Sequence, residues 1–197
     1  MPVLSAAGAQ PPYTERSGWE HAWLVDASAC KGNDEARTCD FCIQIALIEG
    51  GRPIWGVVYL PGEDMLYYAK GGGGAWSVQG SGPAEKLTAS TGGEQQARTV
   101  LVSGDQPMPP ATRQFVEARL GGKPIFVQSD ISGLCRFAEG SAALFVATGD
   151  QQECESAACH AIARAAGIRL RSLQDDDEPA YNKPVQITGP FIAETIR

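Results

Sequence analysis

A chain of 197 residues, 43% hydrophobic and 20% charged, has the size and apolar content of one domain, or of two small ones sharing a core. Its net charge of −7 argues against a nucleic-acid backbone as partner, while small anions stay open because local loops bind them regardless of net charge. No apolar run approaches the ~18 residues of a membrane span. No basic stretch followed by an apolar one opens the chain, and the expected setting is cytoplasmic and reducing.

Residues 1–20 show Pro11-Pro12 and little periodicity. His21 to Val25 is a short apolar run ending in Asp26 and predicts a buried strand. Cys42 to Glu49 (CIQIALIE) predicts a second strand, with Gly50-Gly51 as its turn. Pro53 to Leu60 and Met65 to Ala69 predict two more, and Lys70 to Gly74 turns the chain into Ala75-Trp76-Ser77. The first half therefore reads as an antiparallel meander. Residues 79–95 are rich in Gly, Ser and Thr and read as a connector.

The second half alternates. Strands are predicted over Thr99 to Ser103, Pro124 to Gln128, Ala142 to Ala147 and Ile168 to Leu173. Helices are predicted over Pro110 to Leu120, Ile131 to Glu139 and Glu153 to Ala166. The first helix has Phe115, Val116 and Leu120 as its apolar side and Gly121-Gly122 as its stop. Alternating strands and helices beside a meander predict an α/β layered sandwich, divided into residues 1–92 and 93–197 within one compact unit. The run Asp175 to Glu178 reads as a solvated turn.

Six cysteines in a reducing compartment read as thiols or metal ligands rather than disulfides. A single free cysteine is also, commonly, a small buried apolar residue.

The order of these elements, and several motifs in them, resemble the 3'(2'),5'-bisphosphate nucleotidases of the inositol monophosphatase superfamily. The motifs are Trp23-Leu24-Val25-Asp26, Ile45 to Tyr59 (IALIEGGRPIWGVVY), Tyr67 to Gly73, Cys135 to Gly140 (CRFAEG), Glu153 to His160 (ECESAACH), Tyr181-Asn182-Lys183 and Pro190 to Ala193. The resemblance implies the sugar-phosphatase fold. It also implies a site where a loop glutamate and three aspartates hold two or three magnesium ions that activate water against a phosphomonoester. Two departures stand out. The helices that open the family's chains and cover one face of the meander have no counterpart here, so a second copy or a partner chain is expected on that face. At the metal motifs the loop glutamates correspond to Ala6 and Ala7, the second aspartate to Ala29, the glycine and threonine that follow to Cys30 and Lys31, and the last aspartate to Glu155. Of the aspartates, Asp26 alone is retained. Magnesium, which demands several hard oxygen ligands, is not expected to be held as a cluster.

Cysteines stand where the resemblance implies other residues: Cys30 after the Asp26 motif, Cys39 and Cys42 at a strand entry, Cys154 for a tryptophan and Cys159 for a helix glycine. Cys135 is ordinary for the family and reads as core. Glu155 and Cys159 are four apart and share a helix face, with His160 next.

Several functions compete. A soft metal, zinc or an iron–sulfur cluster, would use Cys30, Cys39, Cys42, Cys154, Cys159 and His160. A thiol or persulfide enzyme would use Cys30, whose pKa Lys31 and a helix N-terminus would lower, with Asp26 and Glu155 as ligand or general base. A catalytically silent binder or scaffold would hold a small phosphorylated or sulfur-containing molecule with Lys31, Ser103, Tyr181 and Lys183. Residual phosphomonoesterase activity is the fourth. The weight falls on a repurposed, cysteine-lined site, because the losses and the cysteine gains coincide at the same motifs. A lone helical His is more often structural than catalytic, and Tyr181-Asn182-Lys183 reads equally as a plain turn and strand.

Overall fold

The computed structural model describes residues 1–8, 10–29, 41–89, 93–104 and 107–196. Cys30, Lys31 and Cys39, all expected at the site, lie outside the described residues.

The chain begins with β1 (Val3–Ser5) and a single helical turn, α1 (Tyr13–Arg16), where the sequence pattern predicted only irregular chain. The meander follows as β2 (His21–Ala29), β3 (Phe41–Glu49), β4 (Arg52–Leu60), β5 (Met65–Lys70), β6 (Gly74–Gln79) and β7 (Glu85–Leu87). These seven strands form one sheet in chain order, antiparallel except for β1, which runs parallel to β2. Strict alternation drives it: Cys42, Gln44, Ala46 and Ile48 of β3 are buried on one face, while Ile43, Ile45 and Leu47 lie half-buried on the other. A bulge between Leu47 and Ile48 resets the β3–β4 register.

The second half contains β8 (Thr99–Ser103), α2 (Pro110–Leu120), β9 (Ile125–Ser129), α3 (Gly133–Ala138), β10 (Leu144–Ala147), β11 (Gln151–Gln152), α4 (Glu153–Ala165), β12 (Ile168–Ser172), β13 (Ile187–Thr188) and β14 (Phe191–Thr195). The second sheet has the order β12-β14-β10-β8-β9, with β8 parallel to both β9 and β10 and β14 antiparallel to its neighbours. The two-residue strands β11 and β13 form a separate antiparallel pair. The bounds of β8 and α2 match the sequence reading. Pro110 at the first helical turn and Gly121 in the left-handed region at φ 65 explain the sharp ends of α2. Helix α3 is shorter than predicted, because Ile131 and Ser132 form a turn ahead of it.

Helix α4 is buried along nearly its whole length because it lies between the two sheets, touching β2 to β6 on one side and β12 on the other. One continuous core therefore joins Leu24, Ile48 and Tyr67 of the first sheet to Phe145, Phe191 and Leu170 of the second through Ala157, Ala158 and Ile162 of α4. The far face of the second sheet buries a smaller cluster, Val100, Val102, Leu144 and Ile192 with Val116 of α2. Phe115, expected beside Val116 on the apolar side, is 40% exposed. Close helix–sheet approach depends on Gly56 of β4. A Cβ there would stand 2.7 Å from the Ala158 carbonyl oxygen and 2.9 Å from the Ala161 Cβ.

Candidate functional site

β2, the start of α4 and the turn after β1 bring three of the expected residues, Asp26, Cys154 and Glu155, near one another. Asp26 follows Ala22 and Leu24 on the inward face of β2 and is only 3% exposed, opposite Gln44 of β3. Helix α4 starts against this end of the sheet. Its first turn is fixed by a reciprocal capping box in which Gln152 is the cap and its backbone N–H donates to Glu155 Oε2 at 3.1 Å. The turn after β1 supplies the backbone of Ala6.

Cys154 lies at their convergence, 7% exposed. Burial, then the charges of Asp26 and Glu155, push its thiol up to about 11, while the backbone N–H groups of Cys154 itself and of Ala6 pull the other way. Cys154 is therefore a protonated thiol at neutral pH. The helix N-terminus does not activate it, because two carboxylates and low solvation outweigh the dipole.

One turn along α4, Cys159 is fully buried. Its Sγ donates to Gln44 Oε1 at 3.2 Å and lies 3.9 Å from the Sγ of Cys135. Cys135 is core, as the sequence suggested. Cys42 is buried on the same inward face of β3 as Gln44. Sequence reasoning overlooked Gln44. Its signal was legible, as a polar side chain at an inward position of an otherwise apolar strand.

Three expected residues are struts. His160 is 100° around the helix from Cys159 and points into the core. There Nδ1 lies 3.1 Å from the Tyr181 hydroxyl and Nε2 lies 3.1 Å from Glu178 Oε1. Burial lowers its pKa even though Glu178 opposes the shift. With both ring nitrogens engaged, by Tyr181 and by Glu178, His160 has neither free for a metal, which corrects its expected role as a ligand. Tyr181 is itself buried, its phenol pushed up by desolvation, and its N–H donates to the Gly51 carbonyl. It packs the core rather than facing a ligand. The backbone N–H of Lys183 donates to Glu153 at 3.2 Å and its ammonium donates to the Ile187 carbonyl. Buried Glu153, which sequence reasoning also overlooked, accepts the Asn182 N–H at 2.6 Å as well. Arg16 donates to the Asn182 side chain and the Lys183 carbonyl. Together they pin the 181–187 loop to the start of α4 and to the N-terminal segment.

Ser103 ends β8 and is buried. Gly104 follows at φ +110, where a Cβ would meet the Thr148 hydroxyl at 2.6 Å and the Gly149 N at 3.0 Å. The chain passes from β8 through α2 to β9, then through α3 back across to β10. The carboxyl ends of β8 and β10 thus flank a topological switch point, the place where open α/β sheets bind ligands. β11 and α4 lead on from that same end.

Among the described residues, no three His, Cys, Asp or Glu side chains gather as a metal site. Asp26 and Glu155 beside the Cys154 thiol supply, among the described residues, fewer hard oxygen donors than the octahedral array of a magnesium cluster takes.

Residues 36–191 match the family model described as Inositol monophosphatase family. The chain is 31% identical over 174 residues to the 3'(2'),5'-bisphosphate nucleotidase CysQ of Salmonella typhimurium, covering 88% of this chain and 68% of the relative. Against the Shigella flexneri CysQ it is 32% identical over the same shares. The crystal structure of CysQ from Bacteroides thetaiotaomicron superposes with a TM-score of 0.82 at 28% identity, over 100% of this chain and 77% of that one. The Thermotoga maritima IMPase gives 0.71 at 18% identity, over 98% and 68%.

Proposed function

Because the chain belongs to the inositol monophosphatase family, we propose that it is a non-hydrolysing member, binding a phosphorylated small molecule of the bisphosphate-nucleotide class without magnesium-dependent turnover. The observation that carries this reading is the buried Cys154 thiol, held protonated by burial and by the nearby charges of Asp26 and Glu155, where a hydrolase needs hard, unshared oxygen donors for its metals. The ligand class rests on the similarity to bisphosphate nucleotidases, and its location on the crevice at the ends of β8 and β10. Two carboxylates repel a phosphate group, so binding is expected to be weak.

The test is a calorimetric titration with a 3',5'-bisphosphate nucleotide, paired with a phosphate-release assay in magnesium. Saturable binding with no release above the blank is expected. Release at an ordinary enzymatic rate, on the order of ~10 s⁻¹, overturns the proposal, and so does an absence of binding.

A second reading, a soft metal at a repurposed cysteine site, is favoured by one observation. Cys42, Cys154 and Cys159 all project into the layer between the first sheet and α4. Stoichiometric zinc, or iron with labile sulfide, in protein purified without air would put this reading in place of the first.

A further inference from the structure

We infer that Cys135 and Cys159 form a reversible disulfide, a peroxide-sensitive modification site that ties α3 to α4. Their sulfurs touch at 3.9 Å although the residues are 24 positions apart in the chain. Both side chains are fully buried. The hydrogen bonds run in one direction: the Cys135 thiol donates to Cys159 Sγ, and the Cys159 thiol donates to Gln44 Oε1 at 3.2 Å. Cys135 is ordinary core, whereas Cys159 stands where the resemblance implies a helix glycine, so the residue at 159 is what makes the pair. Packing alone does not call for sulfur there. The other inward positions of this part of α4, Ala157, Ala158 and Ala161, meet the same core with a methyl group.

A disulfide needs the two sulfurs roughly 2 Å apart. Rotation of a cysteine side chain between staggered positions moves its sulfur by more than the distance still to be closed. Neither sulfur meets solvent, so the oxidant has to be small. Hydrogen peroxide, close to water in size, reaches buried groups during local opening of the packing. The Cys159 sulfur attacks one peroxide oxygen, forming an S–O bond as the O–O bond breaks, and its proton leaves with the departing oxygen as water. The Cys135 sulfur then attacks the resulting sulfenic sulfur. The S–S bond forms, the S–O bond breaks, and the hydroxyl leaves with the Cys135 proton as a second water. Two thiols have given up two electrons and one peroxide has become two waters. The bond closes the chain from 135 to 159 into a loop, which restricts the unfolded state. It also joins two helices that both start at the crevice end of the second sheet, α3 after β9 and α4 after β10 and β11. None of this depends on what the crevice binds.

The test is a peptide map of native protein treated with hydrogen peroxide, quenched with catalase and alkylated after unfolding. Cleavage after Arg136 and Glu155 puts Cys135, Cys154 and Cys159 on separate peptides. The peptides of Cys135 and Cys159 are expected to be joined, lighter together by two hydrogens, and to part on treatment with dithiothreitol. The melting point of the oxidised protein should be higher by roughly 7–14 °C, the effect of closing a loop of this length in a chain of this size, and should return on reduction. Cys135→Ala and Cys159→Gly should each abolish both the link and the rise. Should either variant not fold, the peptide map of the unaltered protein still decides. Peroxide-treated protein in which Cys135 and Cys159 stay unlinked, or in which either is joined to a different cysteine, overturns the proposal.

Discussion

The raised pKa of Cys154 makes a prediction about its reactivity. At pH 8 a thiol at the ordinary value of 9.0 is roughly 9% thiolate, and one at about 11 is roughly 0.1%. The nucleophilic form is thereby reduced about ninetyfold, before the 7% exposure of the side chain slows access further. Iodoacetamide labelling, followed peptide by peptide by mass spectrometry across pH, should show Cys154 reacting at least about ninetyfold more slowly than a small reference thiol of ordinary pKa. The gap should close as pH rises from 9 towards 11. Burial is the largest cause of the shift and the Asp26 charge the next. Asp26→Asn should therefore speed labelling at pH 8 by roughly tenfold, the effect of one nearby charge, and leave Glu155 and desolvation to hold the rest. If Cys154 in the unaltered protein labels at pH 8 as fast as the reference thiol, the thiol is not held protonated. The case against a thiol nucleophile at this position then fails.

Two further outcomes follow from the core. Gly56→Ala places a Cβ 2.7 Å from the Ala158 carbonyl oxygen, so α4 must lift from the sheet. The expected cost is about 1–3 kcal/mol, seen as a melting point lower by roughly 2–4 °C for each kcal/mol, and an unchanged melting point would contradict the packing. The pKa of His160 is lowered from 6.5 by burial, so the unfolded chain takes up the proton first as pH falls. Stability is therefore expected to be full above 6.5 and to decline as pH drops below it. Urea unfolding should show that decline, and His160→Gln should flatten it between pH 5 and 7. An equal decline in the variant would assign the effect to other groups.

Much of the fold was legible because its signals are local. The alternation in CIQIALIE fixes β3 and its inward face, and Pro110 with Gly121 fixes α2. The three-residue strands β1 and β7 were not legible, since a segment that short carries no period and β1 exists only by parallel pairing with β2. At the site, Asp26, Cys154 and Glu155 were legible as candidates from the motifs they fall in. The state of the thiol was not, because it depends on burial and on charges from two elements far apart in sequence. The i, i+4 pair Glu155 and Cys159 shares a helix side, but the helix enters the core between them. Glu155 caps the exposed end while Cys159 packs against Cys135. Adjacent residues on a helix diverge, which is why His160 turns to Tyr181 and Glu178 instead of joining the cysteines.

The donor set around Asp26 and Glu155 is most directly tested by counting metals. Manganese can stand in for magnesium, and electron paramagnetic resonance reports the ion left free in a titration with phosphate present. At most one weakly held ion per chain is predicted, because among the described residues the site offers two carboxylates beside a protonated thiol, too few hard donors for a cluster. Two or more tightly held ions per chain would contradict the non-hydrolysing reading and return the protein to the metal-dependent phosphatases.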